Sequence, residues 1–371
     1  MMFTGKKTWA LAFSAAAVML LVGLGTGCGN NTSGSTPGPT PNPGSEFVFV
    51  PDAVNNILDI VVIDPSGAFN SGPVPDVTTG AEPVSAAVTP NNQFVYVTNV
   101  NGNSVSAYGF NISSGAVAAV SGSPFPAGTG PAAVAVDPSG RFAYVVNDGS
   151  DNVSGYAIGS SGALTSVPGS PFPAGITQQS QGILATSGFV YVANFGSSNV
   201  SAYSINSGNG ALTALGSSPY TTGSGPVSLT MDPAGKFVFS ANSSSNNVSV
   251  FTVNVDGSLS AAPGSPFAAG NSPQYLVTDR TGSFLYVVNV TDDTIEAYSI
   301  GSNGALSVLN LYSSGGGTPQ GLAFDAANHF LMVGNCASGT LAVFSLNGNG
   351  TLSGLGTLGL NGCPEAVATS H

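Results

Sequence analysis

F-V-Y-V-T-N, from Phe94 to Asn99, is one of seven versions of a single phrase. The others are F-V-F-V-P-D ending at Asp52, F-A-Y-V-V-N at Asn147, F-V-Y-V-A-N at Asn194, F-V-F-S-A-N at Asn242, F-L-Y-V-V-N at Asn289 and F-L-M-V-G-N at Asn335. Successive terminal residues lie 47, 48, 47, 48, 47 and 46 positions apart, so one supersecondary unit of fixed length repeats through the chain. A uniform period across most of the 371 residues argues for one repeat domain, where length alone would suggest two or three.

The unit reads most clearly from Pro131. P-A-A-V-A-V, Pro131 to Val136, is a nearly continuous apolar strand, and Asp137-Pro138-Ser139-Gly140 has the chemistry of a type I turn with a glycine free to take positive φ. Phe142 to Asn147 is the second strand, V-S-G-Y-A-I at Val153 to Ile158 alternates as a half-buried third, and a weaker fourth lies around Ala163 to Val167. Such a four-stranded meander leaves apolar faces on both sides. Seven of them packed radially bury those faces against one another, which predicts an all-β, seven-bladed β-propeller over residues 46–371.

The chain ends predict how the ring closes. Inner-strand phrases begin at Pro83, Pro131, Ser180, Pro226, Pro273, Pro319 and Pro364, and the last, P-E-A-V-A-T-S-H, ends at His371. The first phrase at the other end is a second strand, Phe47 to Val50, so the C-terminal segment should supply the inner strand of the blade begun at Glu46. That clasp leaves no open edge between first and last blades.

Composition excludes several classes. With 42% hydrophobic and only 6% charged residues, the chain is turn-dense and core-rich rather than disordered. Residues 1–27 read as a signal peptide: Lys6 and Lys7, an apolar stretch from Trp9 to Leu24, then small residues. Gly25-Thr26-Gly27-Cys28 resembles a bacterial lipoprotein cleavage site, which implies lipidation at Cys28, a flexible Pro/Gly/Ser-rich tether over residues 28–45 and a membrane-anchored, exported protein. Cleavage would move the net charge from −12 to −14 and leave three Lys and Arg residues, too few to neutralise phosphates, so no nucleic-acid partner is expected. A monomer is expected.

Tyr96-Val97-Thr98-Asn99 and its variants, preceded by P-x-x-V-A-V-D-P-S-G-R-F as at Pro131 to Phe142, resemble the YVTN-type repeat of the seven-bladed lactonase-like propellers. That family includes 6-phosphogluconolactonase-type enzymes and exported members of unknown function, and the resemblance spans residues 46–371. It implies the fold directly and, as an activity, lactone hydrolysis. P-G-S-P-F and its variants, at Ser121 to Phe125, Pro168 to Phe172 and Pro263 to Phe267, read as outer-strand geometry without chemistry.

Sorting polar residues by face weighs against that activity. Loops that lead into inner strands share one face, the loop face, with the loops between second and third strands; first-to-second-strand turns lie on the other, the turn face. Arg141, Lys236, Arg280 and His329 all fall on the turn face, and His371 should lie near the same end of the channel. Lactone hydrolysis needs a base and an oxyanion stabiliser, and a phosphorylated substrate also needs cations. The residue inventory therefore favours a non-catalytic ligand- or protein-binding scaffold, with a lactonase-type hydrolase and a cell-surface structural protein as alternatives.

The candidate ligand-binding residues follow the inner-strand prolines or their equivalents: Gln181, Gln274, Gln320 and Glu365, the last also a weak catalytic candidate. The strand-ending asparagines read as turn caps. Asp148 to Asn152 and Asp292-Asp293 offer hard oxygen ligands without a calcium-loop spacing, so neither metal nor cofactor is expected. Cys336 follows Asn335 in a loop of one blade and Cys363 precedes the inner strand of the next, which predicts a disulfide bracing the clasp.

Overall fold

A computed structural model describes residues 44–69, 74–174, 180–360 and 362–371. Cys28, the signal peptide and most of the tether lie outside the described residues, as does the side chain of Gln181. Every regular element described is a strand, and the strands form seven antiparallel sheets. Blade 2 has the complete pattern: inner strand Pro83–Val88, second strand Phe94–Asn99, third strand Ser104–Asn111 and outer strand Ala116–Ala119. Inner strands Pro131–Val136, Ser180–Ala185, Pro226–Met231, Pro273–Thr278 and Pro319–Phe324 open blades 3 to 7.

Blade 1 is built from both chain ends. Its strands Glu46–Asp52, Ile57–Ile63 and Val77–Thr78 are completed by Ala368–Thr369, which pairs with Val48 and Phe49. A bridge from Asp52 to Pro364 and a hydrogen bond from Ser370 N to Phe47 O extend the contact, so the clasp runs almost the whole strand while pairing regularly only over two residues. Gly321 makes room for it, because a Cβ there would sit 2.7 Å from the Ala366 carbonyl carbon.

The core is divided into seven apolar clusters, one at each interface between blades. Val48 and Val50 of blade 1 meet Met332 and Leu341 of blade 7, while Phe47 and Phe49 on the other face of that strand meet Val95 and Tyr108 of blade 2. The phrase thus alternates its side chains into two different interfaces, the period-two geometry of a strand buried on both faces. Tyrosine hydroxyls bolt neighbours together: Tyr96, Tyr144, Tyr191 and Tyr286 donate to the carbonyls of Gly162, Gly210, Gly257 and Gly350 in the next blade's outer hairpin. Gly162 holds φ +82° against the Phe94 ring, where a Cβ would lie 2.3 Å away, so that hairpin requires glycine.

Turn chemistry follows the sequence. Asp137 Oδ1 accepts from the backbone N–H of Arg141 and Phe142, and Asp232, Asp279 and Asp325 cap the equivalent turns. On the loop face Asn99, Asn147, Asn194 and Asn242 are fully buried, each donating to a serine seven residues on in the third strand. In blades 2 to 5 a short extra segment, such as Phe125–Pro126 after the cis Ser123-Pro124 bond, pairs with the third strand beyond the outer one. Blades 6 and 7 instead carry unbroken outer strands, Leu306–Ser313 and Leu352–Gly359.

Candidate active site

The residue after each inner-strand proline is where the repeat opens a site. In blade 2 Pro83 pairs with Asn99 and Ser85 with Thr98, which leaves Val84 as the extra residue of a β-bulge. The same shift recurs at Ala132, Gln181, Val227, Gln274 and Gln320. Bulges re-aim side chains at sheet ends. Here they fall where the inner strands reach the loop face.

Within the ring these strands line a cavity of about 250 Å³, a little below the usual range for ligand sites. Its wall includes the next position along six of the strands, where Ser85, Ala133, Gly182, Ser228 and Ala366 are small and only Tyr275 is large. Gln274 and Asp148 supply further polar groups. Of the sequence-derived candidates, Gln274 therefore lines the cavity, Gln320 is half-buried on its strand outside it, and Gln181 has only its backbone described. Glu365 lies close enough to Tyr275 for its charge to act on the phenol.

The electrostatics set these groups apart. Burial first, then the charges of Glu82 and Asp52, push the Glu365 carboxyl up to about 7. No donor among the described residues stabilises its anion. Its Oε1 is 3.1 Å from Sγ of Cys363, a disulfide sulfur that carries no hydrogen, so the protonated acid is the form able to donate across that contact. Burial, then Glu365, holds the Tyr275 phenol above its ordinary value, and its hydroxyl donates no hydrogen bond among the described residues. Asp148 is raised to about 6 by burial and then by Asp151, and its Oδ1 is buried without a partner.

Cys336 and Cys363 are disulfide-bonded, with their Cα atoms 4.1 Å apart. Asp52 Oδ1 accepts from the Cys363 backbone N–H, and Glu365 N donates to Pro51 O, so bond and strand end together place Glu365 at the mouth. The two sulfurs lie with the Glu365 carboxylate inside 4.8 Å, the geometry of a three-ligand group, but sulfurs bonded to one another are not available as thiolates. A formed disulfide fits an oxidising, extracytoplasmic compartment.

A larger cavity, about 730 Å³, opens on the turn face beside the ring closure and includes Glu46, Asp325, His329 and His371. Several of its groups are already committed to the fold, while Ser45 Oγ is buried there without a partner among the described residues. Glu46 accepts from Ala326 N, and the His371 main chain exchanges two hydrogen bonds with Asn92. Arg280 Nε donates to Asp325 O.

The family model for the seven-bladed β-propeller lactonases ("Lactonase, 7-bladed beta-propeller") matches residues 62–262 and 255–361. The chain belongs to this family. A candidate 6-phosphogluconolactonase of Bacteroides uniformis superposes with a TM-score of 0.77 at 17% identity, over 88% of this chain and 99% of its own. The lactonase propeller also superposes on the periplasmic gluconolactonase of Pseudomonas aeruginosa, with a TM-score of 0.76 at 19% identity over 88% and 99%. A candidate 6-phosphogluconolactonase of Bacteroides fragilis gives 0.75 at 17%, over 89% and 99%. No curated protein sequence matches the chain.

These findings overturn the expectation of a non-catalytic scaffold and favour the hydrolase alternative. The scaffold expectation rested on Arg141, Lys236, Arg280 and His329 all falling on the turn face. A phenol, protonated at neutral pH, is also a donor, and Tyr275, absent from the sequence-derived candidates, lines the loop-face cavity. One signal was present in the sequence: Tyr275 is the single bulky residue in a row otherwise made of Ser85, Ala133, Gly182, Ser228, Gly321 and Ala366.

Proposed function

We propose that this propeller is a lactone hydrolase acting at the loop-face mouth of its channel. The observation that carries the reading is Glu365, a half-buried carboxyl raised to about 7 and without a donor among the described residues, whose charge acts on the protonated Tyr275 phenol in the wall of a small cavity. A base poised near the working pH is partly ionised yet still basic enough to take a proton from water. In this mechanism Glu365 accepts a proton as water adds to the lactone carbonyl carbon, and Tyr275 donates to the developing oxyanion. The ring C–O bond then breaks, and the leaving alkoxide takes the proton back from Glu365. Water and lactone become one hydroxy acid.

Family membership supports the activity, and the disulfide supports an extracytoplasmic setting, where the lipoprotein-like site at Cys28 would tether the enzyme to a membrane. The test is a panel of five- and six-membered lactones assayed by proton release above the spontaneous rate, with Glu365→Gln as control. Turnover lost in that variant is the expected result. No turnover on any lactone, or full turnover in Glu365→Gln, refutes the reading.

A further inference from the structure

We infer that the loop-face mouth selects uncharged lactones and rejects phosphorylated ones, an inference that rests on the lactonase reading above. The whole chain contains only five Lys and Arg residues, so the positive charge available to a phosphate can be followed completely. Lys6 and Lys7 precede the propeller, within the predicted signal peptide. Arg141 lies over the Phe142 ring at 4.8 Å and donates to Ser207 O. Lys236 lies over Phe237 at 4.6 Å and donates to Ser302 O. Arg280 donates to Asp325 O. All three stand in turns between inner and second strands, on the face opposite the mouth, as does His329, and His371 lines the cavity there.

The mouth carries the opposite sign. Asp52 ends a second strand there, Glu82 precedes the inner strand of blade 2, and Asp148, Asp151 and Asp292 occupy loops between second and third strands, with Glu365 at the clasp. Glu82 and Asp52 both act on Glu365 through their charge, so these three carboxylates share one field, and Asp151 acts on Asp148 in the same way. A phosphate dianion approaching the cavity meets that field with no cation or helix N-terminus among the described residues to offset it. A neutral lactone meets none of this repulsion. Its hydroxy-acid product does, so the same charges that exclude a phosphate help expel the carboxylate once the ring has opened.

The experiment compares kcat/KM of the purified protein for glucono-δ-lactone and for 6-phosphoglucono-δ-lactone. Both are assayed at low and high salt, and with and without millimolar Mg²⁺. At low salt the neutral lactone should be preferred by roughly a hundredfold, with the gap narrowing as salt screens the mouth. Glu82→Lys should shift the ratio toward the phosphorylated substrate by about tenfold. Equal or better use of the phosphorylated lactone, with or without Mg²⁺, overturns the inference while leaving the lactonase reading standing. A ratio unmoved by salt and by Glu82→Lys overturns it too. Turnover of neither substrate above the spontaneous rate removes the lactonase reading and this inference with it.

Discussion

Glu365 and Glu46 stand at opposite ends of the same blade, and burial raises each to about 7. What surrounds them differs. Glu46 accepts a hydrogen bond from Ala326 N and another from Ser370, with the Arg280 charge on its favourable side. Glu365 has the charges of Glu82 and Asp52, a disulfide sulfur and the Tyr275 phenol around it, and no donor to its carboxylate among the described residues. A perturbed carboxyl is therefore not a functional mark by itself. The one with committed partners helps hold the ring shut, and the one without them is the proposed base.

The largest expected effect tests that distinction directly. Glu365→Gln should lower kcat/KM for a lactone by about 10²- to 10³-fold, in the range for loss of a general base, with the melting temperature unchanged or raised. Glu46→Gln keeps an acceptor for Ala326 N and should leave activity within about threefold. If Glu46→Gln abolished turnover and Glu365→Gln did not, the turn-face cavity would be the active site.

Next in size is the disulfide. It closes a segment with a sequence separation of 27, and opening it in a Cys336→Ala, Cys363→Ala double variant should cost about 3 kcal/mol in denaturant unfolding. Because Glu365 is two residues from Cys363, activity should fall under conditions where the ring is still folded. A variant that lost stability but kept full turnover would show that the strand end, through Pro51 and Asp52, positions Glu365 unaided.

How much of this was legible in the sequence follows from what repeats. The period, the turn aspartates and the missing inner strand recur or fail in countable ways, so the ring, its closure and the Cys336–Cys363 pairing could be read directly. The row holding Gln274, Gln320 and Glu365 was legible too, although not that the row is a set of bulges. Asp59 was not. It stands where Asn99, Asn147, Asn194 and Asn242 find a serine partner, seven residues after the strand end, but in blade 1 both members are acids. Burial, then Asp76 and Asp52, drive it up to about 7, a consequence of depth that no spacing rule carries.

Those raised carboxyls give the third prediction. Glu46, Asp59, Asp148 and Glu365 all titrate higher folded than in an unfolded chain. Between about pH 4 and 7 the native state therefore binds more protons than the unfolded state, and stability falls as pH rises through that window. The loss should be read as a lower melting temperature at pH 8 than at pH 5. Asp59→Asn removes one buried acid from beside Asp52 and should flatten the slope. A melting temperature that rose from pH 5 to 8 would contradict the assignment.

The smallest effects come from making one chemical change at two places. Tyr144→Phe and Tyr275→Phe each delete a single hydroxyl. Tyr144 spends its hydroxyl on Gly210 O at 2.9 Å, fully buried between blades 3 and 4, and its loss leaves a carbonyl unpaired there. That should cost about 1 to 2 kcal/mol of stability and leave kcat/KM unaltered. Tyr275 donates to nothing among the described residues, so its deletion should leave stability within about 0.5 kcal/mol while lowering kcat by about tenfold. Crossed outcomes, with Tyr275 costing stability and Tyr144 costing turnover, would mean that the mouth holds the ring and the interface does the chemistry. The two variants differ only in whether the hydroxyl already has a partner, which is the same property that separates Glu365 from Glu46.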